Sequence, residues 1–396
     1  MRPPLERGHK MGTVEAYPTS EGRRYRVRYR TPERKQTSKR GFKTKRDAEL
    51  FLANVDVSIA RGEFIDPASA RVTVGDLGRD WLASKSATLK PSTFRAVSDA
   101  WRVYVEPRWG VVQVSAVRHS AVVEWVRQLS AGTAPESRTP GKRGEALAGR
   151  PKSATVVTRA HNALASVLEV AVRDRRIAHN PARGVALPRK VSKPHRYLTH
   201  AEVDRLAAAA GRGSAERATV IYVAAYTGMR WGELTGLRVR DVDTLRRRLS
   251  VSENAVRVGA EVHVGTPKTH KRRSVSFPPF LVMPIAKLCE GKPRDALLFG
   301  GGLEHLQRPR TSGASRSWFV AALAEAGLER MTIHDLRHTA ASLAIASGAN
   351  PKAVQKLLGH ASAAMTLDVY ADLFDDDIDA VSMALDQARI AAVVSK

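Results

Sequence analysis

From Gly12 onward the side chains alternate in character through GTVEAY, RRYRVRYR and QTSKRGF, with breaks at 18–22 and 32–34. Alternation at period two, interrupted by turn residues, predicts three short antiparallel strands. Thr44 then stands where a helix cap belongs. Ala48, Phe51, Leu52, Val55 and Ile59 keep helical spacing over about 45–61. Residues 72–186 read as helical. Phe94, Val97, Trp101 and Tyr104 share one face after a start at Pro91. Val122, Val123, Val126 and Leu129 share a second, and Val157, Ala160, Leu164, Val167, Leu168 and Ala171 a third, which ends before Asn180-Pro181. Between the last two lies AGTAPESRTPGKRGEALAGRPKS, whose Gly, Pro, Ser and Arg content reads as a mobile basic loop.

The segment LPRKVSKPHR at 187–196 is cationic, weakly apolar and contains prolines, as interdomain linkers do. Beyond it, Thr199 with Glu202 three residues on predicts a capped helix. A buried helix follows over about 217–226, then Gly228, then a helix carrying Arg230, Trp231, Glu233, Leu234 and Leu237. RLSVSEN, AEVHVG and RRSVSFP read as strands, with TPKTHK as a hairpin turn between the last two. The remainder reads as helical apart from a Gly-rich piece at 300–302. There is no internal repeat. The pattern predicts an α+β multidomain chain: a disordered lead at 1–11, a three-stranded sheet with a helix at 12–65, a helical domain at 72–186, the linker, and a mainly helical domain with a small antiparallel sheet at 197–396.

Charge narrows the partners. The 396 residues hold 65 Lys and Arg against 39 Asp and Glu, a formal net charge of +26. Such an excess repels itself and is useful against nucleic acid, where each cation placed on a phosphate releases a condensed counterion. Arg24, Arg26, Arg28 and Arg30 fall on one face of the second strand, and Lys39, Arg40 and Lys43 follow, a basic stripe suited to a DNA groove. The single cysteine, Cys289, excludes an intrachain disulfide and a Cys-based zinc site. The apolar run at 220–226 is too short to span a bilayer, no basic amphipathic helix or lipidation signal points to a membrane surface, and there is no apolar leader. A soluble protein of the host-cell cytoplasm, associated with the nucleoid, is the expectation.

Four segments carry chemistry. YTGMRWGEL holds Arg230, TPKTHKRRSV holds Lys268, HDLRHTAASLAIASG holds His334, Arg337 and His338, and LLGHASAAMTLDVYADL holds His360 and Tyr370. Cleaving a phosphodiester without a metal needs a nucleophile, positive donors for the phosphorane and an acid for the leaving oxygen. Tyr370 can be the nucleophile. Arg230 and Arg337 can bracket the non-bridging oxygens, since a guanidinium donates bidentately and keeps its charge. Lys268 can reach the leaving 5′-oxygen. His334 and His360 can donate to phosphate or relay the tyrosine proton. Glu233 can hold Arg230, and His338 reads as a structural hydrogen-bonding residue.

The order Arg, Lys, His-x-x-Arg, His, Tyr resembles the catalytic domain of the tyrosine recombinases, in particular the lambda-type phage integrases, over about residues 195–385. By pattern, the helical region resembles the family's core-binding (SAM-like) domain, and the N-terminal sheet and helix its arm-site DNA-binding domain. The resemblance implies a 3′-phosphotyrosyl link at Tyr370 and a freed 5′-hydroxyl, followed by attack from a partner duplex through a Holliday-type junction, with no ATP, metal or other cofactor. It implies double-stranded attachment sites as partners and a homotetramer on DNA, with a host DNA-bending protein and an excision factor as further partners. Integration, and excision, of a phage or mobile element would be the outcome. The C-terminal Ile378, Val381, Leu385, Ile390 and Val393 could dock on a neighbouring subunit.

Rival readings are separable. His334 and His338 have the i, i+4 spacing of a zinc protease helix, but Asp335 is short for its glutamate, no third ligand follows, and Arg337 would face the dication. A phosphodiesterase would not need Tyr370. Asp375–377 reads as a solvated acidic run rather than a metal site. A type IB topoisomerase shares the phosphotyrosine chemistry but would not need the N-terminal sheet. A non-catalytic DNA-binding regulator would be expected to have lost Arg230, Arg337 or Tyr370, and all three are present.

Overall fold

The computed structural model describes residues 12–137, 149–190, 196–266, 272–311, 315–370 and 378–394. The lead at 1–11, the centre of the basic loop, part of the linker, Lys268 and the acidic run at 375–377 lie outside the described residues. The chain forms two compact units, Met1–Val191 and Ser192–Lys396.

In the first unit, β1 (Gly12–Thr19), β2 (Gly22–Arg30) and β3 (Gln36–Phe42) make an antiparallel sheet in the order β1-β2-β3. Val27 faces Val14, and a register shift follows Tyr25. α1 (Lys45–Ala60) starts at Thr44, whose hydroxyl accepts from the Asp47 amide at 3.1 Å. It buries Ala48 and Val55 against Val27, Tyr29 and Phe64.

Helices α2 (Val74–Thr88), α3 (Pro91–Ala100), α4 (Glu106–Trp109), α5 (His119–Ala131) and α6 (Ala154–Arg173) follow, with a π-helical turn at Trp101–Val105 joining α3 to α4. They enclose a second core around Trp81, Trp101, Trp109 and Trp125. Gly78 lets α2 approach the Trp101 indole; a Cβ there would overlap the ring. All six apolar residues expected on the α6 face are fully buried. On α5 the expectation fails at Val123, which is 45% exposed, because Trp125 fills the core in its place.

The second unit opens with α7 (His200–Gly213), whose Thr199–Glu202 capping box forms as expected. α8 (Ala215–Thr227) runs through the core and stops at Gly228, at φ +60°. α9 (Trp231–Thr235) is shorter than its sequence suggested, ending before Leu237. β4 (Val242–Asp243), β5 (Arg248–Val251) and β8 (Arg273–Ser276) form one sheet, while β6 (Asn254–Val258) and β7 (Glu261–Gly265) form a separate hairpin. The segment holding Lys268 therefore joins strands of two different sheets and is not a hairpin turn between paired strands.

α10 (Val282–Cys289) and α11 (Trp318–Glu325) flank an irregular stretch, among whose described residues only a short 3₁₀ turn at Gly300–Gly302 is regular. The expectation of helix fails there because Pro293, Gly300, Gly301, Gly302 and Pro309 interrupt it. α12 (Asp335–Ala346), α13 (Pro351–Leu358), α14 (Ala363–Tyr370) and α15 (Ile378–Val394) complete the unit. Leu206, Ile221, Leu234, Phe299, Phe319 and Leu336 are among its buried residues. No helix among the described residues is long and apolar enough to cross a membrane.

Candidate active site

Arg230, His334, Arg337, His360 and Tyr370 sit at or near helix ends. Arg230 occupies the position before α9. Its backbone N–H donates to Glu233 Oε2 at 2.9 Å and its Nη1 to Oε1 at 3.0 Å. The expected Arg230–Glu233 pairing is thus present, and it orients the guanidinium, whose Nη2 points to the Gly359 carbonyl at 3.5 Å. Glu233 is 1% exposed. Burial alone would raise its pKa, but bonds to Arg273 and the charges of Arg273 and Arg230 outweigh that and hold the carboxyl below its ordinary range.

Arg273, on β8, was not singled out in the sequence. Its Nη1 and Nη2 donate to the two Glu233 oxygens at 2.8 and 2.7 Å. A Cβ at Gly359 would lie 2.7 Å from Arg273 Nε, so the left-handed turn that ends α13 packs directly on this guanidinium. His360 follows that turn, with Nδ1 3.0 Å from Thr366 Oγ1. The signal that could have found Arg273 is the alternation in RRSVSFP, which puts it on the side of Val275 and Phe277, both buried.

His334 precedes α12 and Arg337 lies in its first turn. Arg337 is 4% exposed and its Nη1 donates to the Gly228 carbonyl at 2.5 Å, while Nη2 is buried with no hydrogen-bond partner among the described residues. Burial first, then the Arg230 charge, pulls its pKa down to about 10, which leaves it cationic at neutral pH. A buried donor beside two other guanidiniums is expensive unless an anion completes the set. Burial and the charges of Arg337, Arg230 and Arg273 pull His360 down to about 4. Burial and then Arg337 lower His334 as well, with Arg308 adding to the effect. Both imidazoles favour the neutral form at pH 7.

Tyr370 ends α14 and is 1% exposed, packed with Ala341, Ile345, Val354 and Leu358. Burial pushes the phenol up to about 12 against the opposing charge of Arg337. Its hydroxyl lies 2.8 Å from His338 Nδ1, and the His338 ring stands edge-on to His334 with centroids 5.3 Å apart. Tyr370 and the Arg337 guanidinium therefore share one site within a single chain. So His338, expected to be structural, touches the proposed nucleophile itself. Lys268 is the one expected member outside the described residues.

On the N-terminal sheet, Arg26 pairs across from Glu15 and Arg40, and Glu15 bridges Arg26 at 2.6 Å and Arg28 at 3.5 Å. Arg24 pairs with Glu21, Arg30 is exposed at the end of β2, and Lys43 is exposed after β3. Lys39 departs from the expected stripe. It lies opposite Val27, on the helix-covered face, with Nζ 4.4 Å from the Phe51 ring.

A phenol set against clustered guanidiniums, on a mainly helical unit with a small antiparallel sheet, is the working arrangement of the tyrosine recombinases. The phage integrase family model matches residues 196–376, and the arm DNA-binding domain model matches residues 20–59. It is similar to the integrase of Mycobacterium phage D29, with 28% identity over 345 residues covering 83% of this chain and 84% of the relative. Its fold is similar to that of the Tn1549 transposon integrase in complex with transposon right end DNA, with a TM-score of 0.60 and 20% identity over 79% of this chain and 99% of the other. It is also similar to a lambda integrase tetramer bound to a Holliday junction, with a TM-score of 0.54 and 18% identity over 89% of this chain and 94% of the other.

Proposed function

We propose that this tyrosine-type site-specific recombinase cleaves DNA by attack of Tyr370 on a backbone phosphate. Arg230 and Arg337 would hold the non-bridging oxygens, His334 and His360 would donate to the phosphate, and Lys268 would protonate the leaving 5′-oxygen. The observation that carries the reading is Arg337. Its charge acts on the Tyr370 phenol of the same chain, and its second terminal nitrogen is buried with no hydrogen-bond partner among the described residues, so it is a donor suited to a phosphate oxygen. Glu233, itself anchored by Arg273, holds Arg230 in place.

The 3′-phosphotyrosyl link conserves the bond energy, so a 5′-hydroxyl from a second duplex rejoins the strands. Four copies on two attachment sites, a host DNA-bending protein and an excision factor complete the proposed assembly, which works on the nucleoid in the host-cell cytoplasm. Residues 12–65 would bind arm-type sites through the face bearing Arg26, Arg28 and Arg40. Residues 72–186 would grip the core site, and residues 197–396 would carry the chemistry. The exposed Leu385, Ile390 and Val393 of α15 suit docking on a neighbouring copy.

Incubating the protein with nicked genomic fragments and sequencing the DNA that remains covalently attached tests the reading. One sequence should be enriched, and Tyr370→Phe should abolish the adduct. An adduct that survives Tyr370→Phe would refute it. Joint products between two duplexes, rather than relaxation alone, separate recombination from topoisomerase activity.

A further inference from the structure

We propose that His338 is the catalytic group that takes the phenolic proton of Tyr370 when the tyrosine attacks DNA, an inference that rests on the reading of Tyr370 given above. The geometry is specific. Of the three imidazoles around the site, His338 has its Nδ1 2.8 Å from the Tyr370 hydroxyl. His360 has its Nδ1 occupied by Thr366 at 3.0 Å. His334 meets the His338 ring edge-on, with centroids 5.3 Å apart. His338 lies one helical turn beyond His334 on α12 and its ring is tilted against the Tyr370 ring, centroids 5.8 Å apart, so packing from two sides fixes the imidazole.

A proton acceptor is needed here. The buried phenol is pushed up to about 12 and does not ionise unaided at neutral pH. The two rival imidazoles are held below their ordinary pKa by burial and nearby guanidiniums, which makes them poor acceptors. With its hydrogen on Nε2, His338 accepts the phenol's hydrogen bond at Nδ1. In the forward step the Tyr370 oxygen bonds to phosphorus, the phosphorus–O5′ bond breaks with its electron pair on the 5′-oxygen, and the phenolic proton passes to Nδ1. The leaving oxygen draws its proton from a separate donor, the role given to Lys268. On rejoining, the imidazolium returns its proton to the departing phenolate.

The test uses the full-length protein and a nicked duplex carrying the sequence enriched in the adduct experiment. A wild type that forms no adduct on that duplex would fail the reading of Tyr370 and leave the role of His338 to fall with it. Given wild-type cleavage, His338→Ala should slow single-turnover adduct formation about 100-fold, with duplex binding in gel shifts unchanged. A matched duplex with sulfur at the bridging 5′ position supplies a leaving group that needs no proton. The His338→Ala defect should persist on it, whereas Lys268→Ala should be rescued. His338→Asn keeps a hydrogen-bonding atom near the phenol but cannot carry the proton, and it should be as slow as His338→Ala. Three outcomes would overturn the assignment: a His338→Ala rate within threefold of wild type, rescue of that variant by the bridging sulfur, or recovery of the rate in His338→Asn. If His338→Ala does not fold, the same comparison is made with His338→Asn alone, and cleavage near the wild-type rate refutes the assignment.

Discussion

At the scale of single residues the site is organised around one carboxylate. Glu233 is inaccessible, yet it binds two guanidiniums and a backbone N–H, and through Arg273 it supports the turn that presents His360. Removing it would leave Arg230 and Arg273 partly buried and unpaired. Glu233→Ala should lower unfolding free energy by about 3–5 kcal/mol in urea titrations, whereas most exposed ion pairs would cost under about 1 kcal/mol. A loss no larger than that of the surface variant Glu124→Ala would show that Glu233 is not the support described. Arg230, Arg337 and Tyr370 were legible in the sequence because each sits in a short motif. Arg273 was not, because its partner lies 40 positions away in the sequence. His338 was legible as a hydrogen-bonding residue but its partner was not, since Tyr370 reaches it only when α14 packs on α12.

At the scale of elements, periodicity carried much of the information. The three N-terminal strands, the cap at Thr44 and the buried face of α6 follow from local pattern alone. Strand pairing did not follow. Alternation says that β5 to β8 are strands but is silent on partners, and β8 joins β5 across the β6–β7 hairpin. Val123 shows the same limit, since helical spacing cannot decide between two adjacent apolar positions when a tryptophan nearby fills the core. The close approach of α2 to the Trp101 turn was also invisible, because a glycine in a helix reads as a weakness until its neighbour is known. Gly78→Ala should therefore cost about 1–3 kcal/mol or more by overpacking, although alanine is the better helix former. Thermal melting measures it, and an unchanged or raised Tm would contradict the packing described.

At the scale of the whole molecule, the excess of positive charge governs how the chain meets DNA. Binding to a duplex should weaken linearly with log salt, with a slope of roughly −0.9 for each phosphate neutralised. Removing residues 1–65 should make that slope shallower, because Arg26, Arg28 and Arg40 leave with it. An unchanged slope in a filter-binding titration would count against an N-terminal DNA contact. The burial of Tyr370 has a consequence for the free protein. A polycation adrift in a cell collides constantly with phosphates that are not its target, and most of those encounters are electrostatic and brief. With its ring packed among aliphatic side chains and its hydroxyl held against His338, the reagent is shielded from such chance collisions, so the molecule can scan a chromosome without scarring it.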